Sequence, residues 1–152
     1  MEVKFVSFDK QFLDVSYKWL QNEELRQLIA AKPITKEEQI AWFEKLPSRS
    51  DYFIWGIMYN YLPVGVCGLK NVIENSGEYW GYIGDEKYRG KGIGSKMMSF
   101  IETVADNKNL KEIYLRVLHT NEAAIRLYSK SGYTIISEEA GFISMRKVIQ
   151  YV

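Results

Sequence analysis

Arg89-Gly90-Lys91-Gly92-Ile93-Gly94-Ser95-Lys96 decides how this chain is read, because three of its eleven glycines fall within five residues there. Before it, Glu78 to Gly84 (E-Y-W-G-Y-I-G) has the aromatic and β-branched texture of a strand; after it, Ile93, Met97, Phe100, Ile101 and Val104 share one face of a helix. A glycine-rich strand-to-helix turn lets backbone N–H groups approach an anion, and the helix N-terminus adds unpaired donors and the positive end of its dipole. Such a turn is suited to phosphate. Arg89 and Lys91 add mobile positive charge at the rim, appropriate to a pyrophosphate. Two better-known phosphate loops fail on the letters. A Walker A loop needs a second Gly five residues after the first and a hydroxyl after the Lys, but Gly90 is followed by Ser95, Lys96 and Met97; a dinucleotide fingerprint starting at Gly90 again meets Ser95 at its last position.

Upstream, residues 2–8 read as a strand, Asp9 caps a helix carrying Phe12, Val15 and Trp19, and a second helical stretch through Leu25, Leu28 and Ile29 runs to Pro33. Thr35 and Glu38 have capping-box spacing, opening a helix with Ile40, Phe43 and Leu46 as its apolar stripe. Residues 52–59 and 64–72 then form a hairpin around N-Y-L-P. Downstream, residues 112–118 are a strand and Asn121 caps a helix with Ala124, Leu127 and Tyr128. Gly132 stands where a helix end needs a left-handed residue, and residues 133–137 and 142–149 are two final strands. The order is β-α-α-α-β-β-β-α-β-α-β-β, an α/β fold with a mixed sheet flanked by helices. No linker, repeat or low-complexity tract divides it, so one domain is expected over residues 1–152.

With 47% apolar and 26% charged residues the 152-residue chain can bury an ordinary core. Twenty Lys plus Arg against nineteen Asp plus Glu leave a net charge of +1, without the basic excess that duplex nucleic acid requires. No stretch approaches a membrane span and the N-terminal residues lack a signal-peptide pattern, so a cytoplasmic protein with no membrane partner is expected. One Cys and one His make a metal cage within the chain implausible, and Cys67, inside an apolar strand, reads as packing.

R-G-K-G-I-G resembles the R/Q-x-x-G-x-G/A signature of the GNAT superfamily of acetyl-CoA-dependent N-acetyltransferases, and the element order is similar to that fold along essentially the whole chain. Asn121 to Tyr133 (N-E-A-A-I-R-L-Y-S-K-S-G-Y) resembles the family's N-x-x-A-x-x-L-Y-x-K-x-G-F/Y segment at the right distance downstream. The resemblance implies a central, mostly antiparallel sheet with acetyl-CoA as cosubstrate and no metal. It implies that the pyrophosphate is held by Arg89, Gly90, Lys91, Gly92, Ile93, Gly94 and Ser95, that the pantetheine arm pairs with Tyr82, Ile83 and Gly84, and that Asn121 and Lys130 contribute to cofactor binding.

An amine attacking a thioester must lose its proton, and the leaving thiolate must gain one. Tyr128 matches the family's general acid. The base has two candidates. Glu78 lies on the strand leading to the loop, but Gly81 follows it by three residues where relatives often have two, a difference that turns the side chain to the other face of the sheet unless a bulge restores the phase. His119, the single His, follows the next strand, and imidazole is the side-chain type suited to proton transfer near neutral pH. Trp19, Asn22, Arg26, Trp42 and Trp80 could form an aromatic and polar acceptor wall, with Arg26 near a sugar nucleotide's phosphates, although Trp19 and Trp42 also suit a core. The N-terminal half looks like the branch that includes ribosomal-protein and amino-sugar acetyltransferases. The expected function is acetylation of a small-molecule primary amine, preferably a nucleotide-linked amino sugar. Protein amino-terminal acetylation and a non-catalytic coenzyme A-binding module are the alternatives, and the last hairpin's exposed strands allow a homodimer.

Overall fold

A computed structural model describes residues 2–149. Seven strands form one sheet in the order β1-β2-β3-β4-β5-β7-β6: β1 (Val3–Ser7), β2 (Phe53–Tyr59), β3 (Leu62–Ile73), β4 (Ser76–Ile83), β5 (Glu112–Leu118), β6 (Thr134–Glu139) and β7 (Phe142–Val148). Every pairing is antiparallel except β4 with β5. Five helices cover it: α1 (Lys10–Trp19), α2 (Glu23–Ile29), α3 (Lys36–Lys45), α4 (Ile93–Asn107) and α5 (Glu122–Lys130). The mixed, mostly antiparallel sheet expected from the sequence is the one observed, and none of the helices is long and apolar enough to cross a membrane.

Side-chain alternation assigns the helices to faces. A Cβ on Gly81 would meet Met97 of α4, whereas one on Gly84 would strike the Trp19 ring and one on Gly56 the Phe12 ring, both on α1. Odd-numbered β4 positions therefore face α4, and even-numbered ones face α1. Beneath α4 lies the main core, with Ile57, Leu69, Ile93, Ile101, Ile113, Leu115 and Met145 essentially inaccessible and Phe5 stacked on Phe100 at 4.0 Å. Cys67 belongs to it, its thiol pushed up to about 12 by burial, which suits packing and not nucleophilic chemistry.

Several local details differ from the sequence reading. The β2–β3 turn narrows to Asn60-Tyr61, both with positive φ, and the strand resumes at Leu62, with Pro63 next to the register shift at Ile57/Met58. α2 stops at Ile29 because Ala30 adopts a left-handed cap, three residues before Pro33. The Thr35–Glu38 capping box forms as expected, yet α3 is rolled about its axis: Gln39 is 3% exposed while Ile40 is 36% exposed. Gly132 does take the left-handed role, φ +99, in a Schellman closure where the Tyr133 N–H donates to the Tyr128 carbonyl. β6 is an edge strand exposed along its whole length, Ile135 and Ile136 included.

Six tyrosines are held above their ordinary range, in each case chiefly by burial: Tyr52 and Tyr128 up to about 12, Tyr82 and Tyr133 further, and Tyr79 and Tyr114 in the same direction. Unfolded phenols release protons from about pH 10 while the folded ones keep theirs, so the unfolded state binds fewer protons and stability falls as pH rises. The urea midpoint is expected to hold from pH 7 to 9 and to drop clearly by pH 11. A flat profile would show that these phenols do not resist ionisation.

Candidate active site: a gap between two parallel strands

β4 and β5 pair at only three positions, Ser76 with Glu112, Gly77 with Ile113 and Glu78 with Tyr114, and then part. On its other side β4 stays in register with β3 through Ile83. The Gly84 N–H donates to the Val64 carbonyl at 2.8 Å, which fixes the phase of that ladder: Gly84, Tyr82 and Trp80 spend their main-chain groups on β3. Tyr79, Gly81 and Ile83 therefore turn their N–H and C=O groups to the open side. Arg89 already reaches across, Nη2 donating to the Ile83 carbonyl at 3.4 Å. Of the three residues expected to pair with an added arm, Ile83 has that orientation, and the two-residue alternation gives the other positions to Tyr79 and Gly81.

The gap leads to the start of α4. Gly90 and Gly92 have φ of +73 and +83, a region in which Cβ-bearing residues are strained, and Gly92 is the N-cap with no side chain closing the helix end. The Lys96 N–H is bonded to the Gly92 carbonyl, and the amides of Ile93, Gly94 and Ser95 precede it in the first turn without intrahelical acceptors. Lys91 and Ser95 are exposed beside them. Gly94 has a further duty: a Cβ there would lie 2.8 Å from Leu127 Cδ2, so its absence lets α5 pack against α4. The donor set suits a diphosphate.

A cavity of about 490 Å³ runs through the gap from the α5 side to the α1–α3 side. Tyr128 lines it, its ring edge-on to Tyr79 at 6.1 Å and near Tyr133 at 6.1 Å, positioned by the closure at Gly132. With its hydroxyl pushed up to about 12 by burial, the phenol stays protonated throughout the neutral range. Asn121 lines the cavity as well; its Oδ1 accepts from the Ala124 N–H and its Nδ2 donates to the Leu28 carbonyl, so it caps α5 and ties it to α2.

β4 runs without a bulge from Glu78 to Ile83, and Glu78 faces the cavity on the same side as Trp80 and Tyr82. With no bulge to restore the phase, the spacing does place it on the face opposite Gly81, and the cavity reaches it there. Its Oε1 accepts from Asn71 Nδ2 at 3.1 Å and its Oε2 lies 3.6 Å from Lys70 Nζ. His119 is exposed on the turn after β5, its N–H donating to the Gly141 carbonyl, and does not line this cavity. Arg26 also lies outside it: Nη1 is used on the Leu20 carbonyl at 2.8 Å, a bond that closes the α1–α2 corner. Trp19 and Asn22 line a second hollow of about 240 Å³ beside Gly84 and Arg89, where Asn22 caps α2 and Trp19 packs edge-on to Tyr82. Lys130 is exposed in the last turn of α5 and lines neither cavity.

On the α1–α3 side the wall is a chain of rings, Trp42 to Tyr52 at 6.3 Å, Tyr52 to Trp80 at 6.1 Å and Trp80 to Tyr82 at 6.4 Å. The charged side chains lining the cavity are Lys70, Glu78 and Arg116. Arg116 stacks on Phe142, 4.4 Å from the ring centre, and joins none of the ion pairs formed among the described residues. Sequence reasoning missed Gln39, Lys70 and Arg116. Only strand phase could have indicated Arg116, which alternates with buried Leu115 and Val117.

The acetyltransferase (GNAT) family model matches residues 16–133. The chain belongs to that family. The uncharacterized N-acetyltransferase YobR of Bacillus subtilis is 30% identical over 129 residues, 81% of this chain, which spans only 51% of YobR. Acetyltransferase PseH of Campylobacter jejuni is 24% identical over 139 residues, 91% of this chain and 87% of that protein. A crystal structure of C. jejuni PseH with acetyl coenzyme A superposes with a TM-score of 0.77 at 19% identity, covering 98% of this chain and 100% of that one. Spermidine N-acetyltransferase of Vibrio cholerae, solved with CoA and spermine, gives 0.87 at 17% identity, covering 96% and 95%. At those identities the superpositions establish the shared fold.

Proposed function

We propose that this protein transfers the acetyl group of acetyl-CoA to the primary amine of a small molecule, preferably a nucleotide-linked amino sugar. The gap fits the donor: Tyr79, Gly81 and Ile83 offer main-chain groups to an extended amide-bearing arm as a sheet edge does to a strand, and the α4 amides with Arg89 and Lys91 take its diphosphate. Acetyl-CoA, when bound, supplies an activated acetyl thioester. Glu78 accepts the amine proton from the α1–α3 side, directly or through water, and Tyr128 holds a proton for the departing sulfur on the other side of the gap. The exposed β6 edge is the surface on which a second copy would pair.

The charge of the acceptor side carries the choice of substrate. Among the described residues its one carboxylate is already engaged by Lys70 and Asn71, while the Arg116 guanidinium stacks on Phe142 and joins no ion pair. A polyamine needs carboxylates for its further ammonium groups. A nucleotide-linked sugar brings phosphates to Arg116 and flat faces to the ring wall. The test is thiol release from acetyl-CoA with a UDP-linked amino sugar, kanamycin, spermine and an amino-terminal peptide. The nucleotide sugar is expected to give the highest kcat/KM, and Arg116→Ser to lower it about tenfold, the loss of one charge-assisted contact, without affecting spermine turnover. Spermine as the best acceptor, unaffected by Arg116→Ser, would overturn the assignment.

A further inference from the structure

Gln39 is a polar side chain sealed into the acceptor wall with half of its amide unused. It is 3% exposed and lines the cavity, yet its Oε1 meets no donor among the described residues. Its Nε2 donates to Ser16 Oγ at 2.8 Å, and Ser16 Oγ in turn donates to the Leu13 carbonyl at 3.1 Å. With its single proton committed to Leu13, the Ser16 hydroxyl can only accept from Gln39, so the amide must present N–H to Ser16 and its oxygen elsewhere. Flipping the amide would set two acceptors against each other. A buried amide oxygen without a donor is unfavourable, and the bond to Ser16 accounts for only the nitrogen half of the side chain.

We propose that Gln39 determines acceptor specificity, its Oε1 receiving a hydrogen bond from an O–H or N–H group that the acceptor carries in addition to its reacting amine. The proposal rests on acetyl transfer through this cavity, and it deepens that reading by requiring a second donor on the substrate, as the hydroxyls of an amino sugar provide. A site built around such a bond discriminates strongly against analogues that lack the donor, because the buried oxygen is then left unpaired. Ser16 is a positioning residue in this arrangement, since it holds the amide in one orientation.

Gln39→Met keeps the length of the side chain and removes the acceptor atom; Ser16→Ala keeps the atom and removes the pin. Both are compared with the wild type on whichever of the UDP-linked amino sugar, kanamycin and spermine the wild-type protein acetylates best, alongside acetyl-CoA affinity by calorimetry and the melting temperature. Gln39→Met is expected to lower acceptor kcat/KM about tenfold or more, mostly through KM, with acetyl-CoA affinity unchanged and the melting temperature held or raised. Ser16→Ala is expected to show a smaller loss of the same kind. Unchanged acceptor kinetics in Gln39→Met would overturn the proposal, as would a parallel loss of melting temperature and donor affinity, which would make Gln39 a packing residue. Because the comparison uses the best acceptor found, a failed nucleotide-sugar assignment and a failed Gln39 assignment give different results.

Discussion

Gly90→Asp is expected to weaken acetyl-CoA binding between about fivefold and several hundredfold, whereas Gly90→Asn binds nearly as the wild type does. Gly90 has φ +73 and open space around the position a Cβ would occupy, so neither side chain meets a neighbour. Asn and Asp are the residues that best tolerate this left-handed region, and both bear the same backbone cost. What separates them is one negative charge against a diphosphate, worth about 1–4 kcal/mol at roughly 4 Å between a watery and a near-surface dielectric. Calorimetric titration of the two variants isolates that term. Gly94 is a poorer place for the experiment, because any side chain there pushes on Leu127 and disturbs the α4–α5 contact before charge is considered. Equal affinities for the Asn and Asp variants would put the diphosphate somewhere other than this loop.

Tyr128→Phe is expected to lower kcat by about 10²- to 10⁴-fold, the range over which a positioned proton donor contributes, and to leave acetyl-CoA affinity nearly intact. The ring remains to pack against Tyr79 and Tyr133, so the variant should fold. Since burial pushes the hydroxyl up to about 12, the wild-type rate should show no alkaline decline from this group below about pH 10. Steady-state kinetics with free-thiol detection from pH 6 to 10 checks both statements. Unchanged kcat in the Phe variant would reduce Tyr128 to a packing ring and remove its role as the acid.

The two experiments test the parts of the site that were most legible in the sequence. The glycine cluster could be read because main-chain donors need glycine and a helix start, both local properties of a few adjacent letters. Tyr128 was singled out by the resemblance of residues 121–133 to the family's segment, and its helix and the Gly132 closure lie within that same short stretch. The acceptor side could not be read in this way. His119 and Arg26 had suitable chemistry in suitable places along the chain, yet one is exposed on a turn and the other is spent on a main-chain carbonyl. Gln39 sat beside Ile40, which hydrophobic periodicity favoured for the inner face, and only the packing of α3 on α1 shows that the helix buries the amide instead.

By itself, the amino-acid order determined the sequence of strands and helices, the glycine-rich turn before α4 and the family, all of which are legible in short stretches of adjacent residues. The tertiary structure decided where β4 leaves β5, which of β4's main-chain groups that separation frees, and which charges from β3, β4 and β5 meet across it. Those outcomes depend on ladder phase and helix roll, which are set by packing between segments tens of residues apart, where a shift of one residue or a modest rotation exchanges an inward side chain for an outward one.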